Sequence, residues 1–150
     1  KLAGTKIERV PYKASPQALG DVASGQVQLM FPDLPQAMTQ IEAGRVRGLA
    51  TTGPTRTTVA PNLPAIAETV KGYSLVYWLA VFAPAGTPAD VQKVLADAIG
   101  EAMKDPATAK AMTQGRMEIS PLPLAQFAAY VKEQTAWWTS EIKAAGIEPE

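Results

Sequence analysis

The residues with the most chemical potential form a short run, Tyr12-Lys13-Ala14-Ser15, which ends a predicted strand and opens a predicted helix at Pro16. A helix N-terminus in that position presents unpaired backbone N–H groups and a partial positive charge, the physical requirement for holding a carboxylate or phosphate. The Ser15 hydroxyl and the Tyr12 phenol add donors there, and Lys13 adds charge. The next strand-to-helix junction, Phe31-Pro32-Asp33-Leu34, is expected along the same sheet edge and brings Phe31 and Asp33. Its structural alternative is an Asp N-cap beside a core Phe. Trp78, inside a long apolar run, either walls a cleft or packs in the core. Arg56 is a further candidate for bidentate recognition of a carboxylate, whereas Arg45 and Arg47 read as surface residues.

What is missing narrows the chemistry. The sequence contains neither His nor Cys, which removes thiol nucleophiles, disulfides, thiolate or imidazole metal sites and all histidine acid/base schemes. Asp21, Glu42, Glu68 and Glu101 show no pairing that nominates an acid/base couple, and no Gly-rich phosphate motif, nucleophile elbow or metal cluster occurs. No catalytic residue, metal ligand or cofactor is therefore expected, and a small carboxylate-only enzyme has no residue set to work with. Lys+Arg and Asp+Glu both number 14, so bulk charge favours neither nucleic acid nor an anionic membrane. No run approaches the ~20 apolar residues that span a bilayer. Lys1 to Lys6 lack a hydrophobic signal region and lead almost directly into the first strand, as in a chain cut in mid-fold.

These residues must be positioned by an α/β framework. With 150 residues, 47% of them hydrophobic, the chain can bury a core. Alternation predicts strands over residues 7–10 and 27–31, with a helix from about Pro16 to Ser24 stopped by Gly25. That order is a βαβ unit, in which the loop after the first strand is the default small-molecule site. A second helix opens at Asp33 or Leu34 with Pro35 in its first turn and ends before Gly44, followed by a strand over 46–52. A short helix is expected over 65–70. Residues 73–83 are apolar on both faces and read as a strand crossing between two lobes. Beyond Pro88 the pattern is mostly helical, with Thr87 a predicted N-cap and Val91, Val94, Leu95, Ala98, Ile99 and Met103 at helical spacing. Asp105-Pro106 begins a shorter helix ending near Gly115, and residues 116–119 suggest one more strand. The final helix, 124–145, carries Phe127, Tyr130, Val131, Gln134, Trp138 and Ile142 near one stripe, with Gly146 as its stop. Trp137 and Trp138 are expected to pack between lobes or to lie half-exposed.

Five stretches together carry a resemblance. Val10-Pro11-Tyr12-Lys13-Ala14-Ser15, Gly25-Gln26-Val27-Gln28-Leu29-Met30-Phe31, Ala43-Gly44-Arg45-Val46-Arg47-Gly48-Leu49-Ala50, Trp78-Leu79-Ala80-Val81-Phe82-Ala83-Pro84-Ala85-Gly86-Thr87-Pro88 and the ending Ala144-Ala145-Gly146-Ile147-Glu148-Pro149-Glu150 span nearly the whole chain. In this order they resemble the C-terminal half of the Bug-type substrate-binding proteins of tripartite tricarboxylate transporters. The resemblance implies an α/β, periplasmic-binding-protein-like (type II) fold that is incomplete: most of the second lobe plus the C-terminal helices of the first lobe. It places the second-lobe portion at 1–73, an interlobe crossing strand and hinge at 74–88, and at 89–150 a helical portion that packs on the first lobe.

It also implies a periplasmic receptor without catalysis that closes on a small organic carboxylate and delivers it to the membrane subunits of the transporter. In that family the carboxylate is held by backbone amides, hydroxyls and bridging waters, and the matching loops here are Tyr12 to Ser15 and Phe31 to Asp33. Two positions depart from the family pattern. Ala14 replaces a Gly, which restricts the loop if positive φ is needed, and Pro32-Asp33 replaces Asp-Asn. Family members are about twice this length, so the chain alone is expected to bind weakly and to pair as a homodimer with exchanged elements. The alternative is an interaction or dimerisation domain that has lost its ligand cleft.

Overall fold

In the computed structural model, which describes residues 4–147, five α-helices form where the apolar periodicity places them. They are α1 (Ser15–Ala23), α2 (Leu34–Glu42), α3 (Ala89–Ala102), α4 (Pro106–Gln114) and α5 (Leu124–Ala144), with a 3₁₀ turn at Ile66–Glu68 in place of the predicted 65–70 helix. Lys1, Leu2 and Ala3, and the Glu148-Pro149-Glu150 of the matched ending, lie outside the described residues.

The helix stops are the glycines read from the sequence. Gly25 takes φ +79° after α1, donating to Val22 O at 3.1 Å while Gln26 N donates to Asp21 O at 2.9 Å. This doubly bonded left-handed stop recurs at Gly44 after α2, where Arg45 N reaches Gln40 O, and at Gly146 after α5, where Ile147 N reaches Ile142 O. α4 ends the same way, with Arg116 N on Thr113 O and Met117 N on Met112 O, but the left-handed position belongs to Arg116, at φ 58°. Asp105 caps α4, its Oδ2 accepting from Thr108 N at 2.8 Å. Pro88 rather than Thr87 occupies the cap position of α3, and the Thr87 hydroxyl donates to Pro84 O at 2.8 Å.

The predicted strands do not pair into ladders among the described residues; a single parallel bridge joins Thr51 to Ala65. Thr51 N donates to Pro64 O at 2.8 Å and Ile66 N to Thr51 O at 2.9 Å. Segments 7–10, 27–31, 73–83 and 116–119 are not strands here. A helix closes its own hydrogen bonds, whereas a strand exists only when a neighbour lies about 4.8 Å away.

The described residues divide into two compact units. The first comprises residues 4–81 with Lys110–Glu118, the second Phe82–Ala109 with residues 119–147. Buried apolar residues are few: Ala18, Leu19, Val59, Ala60 and Ala65, all in the first unit. The hydrophobic fraction is therefore not matched by a core of the size that composition permits. Within the first unit, segment 46–52 passes so close to α2 that a Cβ at Gly48 would sit 2.9 Å from Ile41 Cδ1 and from Leu63 Cδ2. Arg116 Nη1 donates to Val59 O at 3.0 Å and Nη2 pairs with Glu42. Glu118 Oε1 accepts from the Thr57 and Thr58 hydroxyls, both at 2.7 Å, and from Thr58 N at 2.6 Å. These bonds tie the end of α4 to α2 and to the 56–60 loop. In the second unit, Phe127, Tyr130, Val131, Gln134 and Trp138 are half-buried along α5, as their spacing predicts, but Ile142 of the same stripe is exposed. Phe82 packs on Phe127 at 5.7 Å and Trp137 meets Trp138 edge-on at 4.9 Å. The α3 stripe differs: of its residues Val91, Val94, Leu95, Ala98 and Ile99 are exposed and Met103 is half-buried, while Gln92 and Ala96, outside it, are half-buried too.

Candidate functional site

Tyr12 follows Pro11 and precedes α1 by two residues, and its ring reaches back along that helix. Its hydroxyl donates to Asp21 Oδ2 at 2.7 Å. That bond to a carboxylate, followed by burial and the Asp21 charge, raises the Tyr12 pKa, so the phenol keeps its proton and directs it at Asp21.

Ala14 is the residue before α1 and adopts φ −153°, ψ 142°, extended backbone that carries a Cβ without strain. The departure from glycine therefore costs this loop nothing. Ser15 is the first residue of α1 rather than its cap, and no side chain caps the helix. With Pro16 lacking an N–H, the first turn presents the amides of Ser15 and Gln17 without a partner in the helix. Lys13, Ala14 and Ser15 are all exposed.

The second junction repeats the arrangement. Asp33 precedes α2 at φ −62°, ψ 139°, yet its side chain makes no capping bond, and Pro35 again leaves two first-turn amides, Leu34 and Gln36, without helical partners. Phe31 is 62% exposed. The structural alternative of a capping Asp beside a core Phe is thus not what forms.

Of the sequence-predicted residues, Tyr12 and Phe31 are brought together. Both line a cavity of about 270 Å3 bounded by Ile7, Arg9 and Val10, by Ala18 and Val22 of α1, and by Val27, Leu29 and Met30. Lys13, Ala14, Ser15, Asp33 and Trp78 do not line it; Trp78 is half-buried. Arg9 is the charged residue that sequence reasoning passed over. Its alternation with Ile7 and Val10 in the predicted first strand carries the signal.

Arg56 is already engaged. Its Nε and Nη2 each donate to a Glu68 carboxylate oxygen at 2.8 Å, and Glu68 Oε1 also accepts from Ala65 N at 2.8 Å. The guanidinium first and the Ala65 amide second hold Glu68 at about 2, far below the usual 4.5. The fork read as a ligand-binding group is an internal clamp around the 3₁₀ turn. Among the described residues no group of His, Cys, Asp or Glu could hold a metal ion, and no helix is long and apolar enough to cross a membrane.

Comparison with known proteins gives consistent matches. A family model for a tripartite tricarboxylate transporter family receptor matches residues 1–147. A UPF0065 protein of Bordetella bronchiseptica is 33% identical over 147 residues, covering 98% of this chain and 44% of that protein. BugT of Bordetella pertussis is 29% identical, covering 95% and 44%. Among solved structures, a periplasmic transporter superposes with TM-score 0.81 at 37% identity, covering 97% of this chain and 49% of that one. The periplasmic binding protein BugD gives TM-score 0.72 at 28% identity, with 98% and 50% covered. The chain thus spans about half the length of these solved structures and less than half of the two Bordetella proteins.

Proposed function

The chain belongs to the tripartite tricarboxylate transporter receptor family, and from that membership we propose that it binds a small organic di- or tricarboxylate as a periplasmic solute receptor for the transporter's membrane subunits. The fold is that of the periplasmic binding proteins it superposes on, over about half their length. The family is one of receptors, not enzymes.

The observation that carries the carboxylate reading is the pair of uncapped helix starts. α1 and α2 each open with two unpartnered amides and no side-chain cap, and such a terminus attracts anions. Tyr12, Lys13, Ala14, Ser15, Phe31, Asp33 and Trp78 form the proposed ligand-facing set. The Tyr12 hydroxyl, committed to Asp21, offers its oxygen rather than its proton, so the backbone amides and Ser15 do the binding.

Magnitude limits the affinity of this chain by itself. One helix terminus contributes at most ~2 kcal/mol to an anion and a hydrogen bond to a charged group nets ~1.5–3 kcal/mol, against about 8 kcal/mol for micromolar binding. Millimolar binding follows. With ligand at ten times such a Kd, mass action stabilises the folded chain by about 1.4 kcal/mol, which raises Tm by a few degrees. Succinate or citrate at tens of millimolar is expected to give that rise, and the uncharged diamide of succinate none. Equal effects of both, or no effect, would contradict the reading.

A second feature belongs to the same reading. Tyr77, Leu79, Val81 and Phe82 are each at least 65% exposed, an apolar run that a second copy of the chain covers in a homodimer.

A further inference from the structure

We propose that Asp21 is the positioning residue of the carboxylate site, holding the Tyr12 to Ser15 loop so that the first amides of α1 stay open; the inference rests on the carboxylate reading given above. Asp21 stands in the last turn of α1, where the helix macrodipole disfavours a negative charge. Among the described residues no cation forms an ion pair with it. It lies about 9 Å of helix from Ser15, and a carboxylate there repels an anion held at the helix start. Charge alone therefore gives Asp21 no role beside such a site. Its hydrogen bonds do.

The side chain holds the segment that enters the helix. Asp21 Oδ2 accepts from the Tyr12 hydroxyl at 2.7 Å, and both residues are half-buried. The main-chain carbonyl of the same residue holds the segment that leaves, accepting from Gln26 N at 2.9 Å, Val27 N at 3.3 Å and the Ser24 hydroxyl at 3.2 Å. One residue thus joins the chain on either side of α1.

Little else fixes the entering segment. Among the described residues, the backbone of residues 7–13 forms no hydrogen bond with other backbone, Lys13, Ala14 and Ser15 are exposed, and the helix start has no side-chain cap. The first bond of the helix is long, with Ala18 N donating to Ala14 O at 3.5 Å. The Tyr12 phenol is the polar tie between this loop and α1, bonded to a residue nine positions along the chain. Without that tie the loop samples conformations that do not present the Ser15 and Gln17 amides together, and the apparent affinity falls with the fraction of chains held open. The alternative, a Tyr12 hydroxyl that itself donates to the ligand, makes the opposite statement about Asp21. Removing its carboxylate would then free the phenol proton and strengthen binding.

The test compares Tyr12→Phe, Asp21→Ala, their double variant and Asp21→Asn in the full chain, by residue-resolved NMR first without ligand and then titrated with succinate. Tyr12→Phe and Asp21→Ala are each expected to lower the backbone order parameters of Lys13, Ala14 and Ser15 in the free chain and to weaken succinate binding about fivefold. The double variant should bind no worse than either single one, as for two residues that act through one contact. Asp21→Asn, whose amide oxygen still accepts the phenol proton, should recover most of the affinity; a loss of stability alone would leave the affinity of the folded chain unmoved in all four. Parent-like or tighter binding by Asp21→Ala, additive losses in the double variant, or a loss in Tyr12→Phe alone overturns the proposal while the carboxylate reading stands. No saturable binding of succinate by the parent chain overturns the carboxylate reading, and the positioning role falls with it.

Discussion

Tyr12 shows how a residue can be found from sequence while its chemistry is not. Its place before a helix start is legible in the spacing of Pro11 and Pro16, but the partner of its hydroxyl, Asp21, lies two helical turns away and has no local signature. Arg56 was legible as a bidentate cation and not as an occupied one, because Glu68 meets it only when the 3₁₀ turn closes. That clamp sets a pH dependence. Glu68 titrates near 2 in the folded chain against a usual 4.5. Since the folded value is depressed, the stabilisation is complete above about pH 4.5 and is lost as pH falls toward 2. Thermal melts between pH 7 and pH 2.5 should therefore show Glu68→Gln destabilised at neutral pH and converging on the parent chain at the acid end. A constant difference across that range would mean the pair does not act through the Glu68 charge.

Among the elements, helices were legible and strands were not, for one physical reason. Each helix shows a local apolar period, and α1, α2 and α5 have glycine stops at 25, 44 and 146, so local sequence suffices. Segments 7–10 and 27–31 alternate correctly and still form no ladder, because pairing depends on a neighbour elsewhere in the fold. The end of α4 is the exception among the helix stops. Arg116 sits at φ 58°, where glycine is usual, and its side chain spans to Val59 O and Glu42. Backbone strain of about 1 kcal/mol at such a position is offset by hydrogen bonds from a charged group netting ~1.5–3 kcal/mol each. The expected order of stability by chemical denaturation is Arg116, then Arg116→Gly, then Arg116→Ala, with Gly above Ala by about 1 kcal/mol because only Gly relieves the strain. Ala equal to or above Gly would place the stabilisation elsewhere.

For the whole molecule, composition overstated the core. Almost half the residues are hydrophobic, yet among the described residues the buried apolar ones are Ala18, Leu19, Val59, Ala60 and Ala65, while Phe31, Leu49, Leu79, Val81 and Phe82 are exposed. Val91, Val94 and Leu95 of the α3 stripe were predicted from spacing alone and are exposed. The covering of 77–82 by a second copy gives a doubled mass in native mass spectrometry at micromolar concentration, which Leu79→Asp should return to the monomer; a monomer in the parent chain would contradict the dimer. The central claim, that helix-start amides receive a carboxylate, is tested most directly by residue-resolved NMR of the labelled chain titrated with succinate. The predicted result is a saturable, millimolar shift concentrated at the amides of Ser15 and Gln17, with Leu34 and Gln36 following the same isotherm. Shifts that never saturate, or that cluster away from both helix starts, would contradict it.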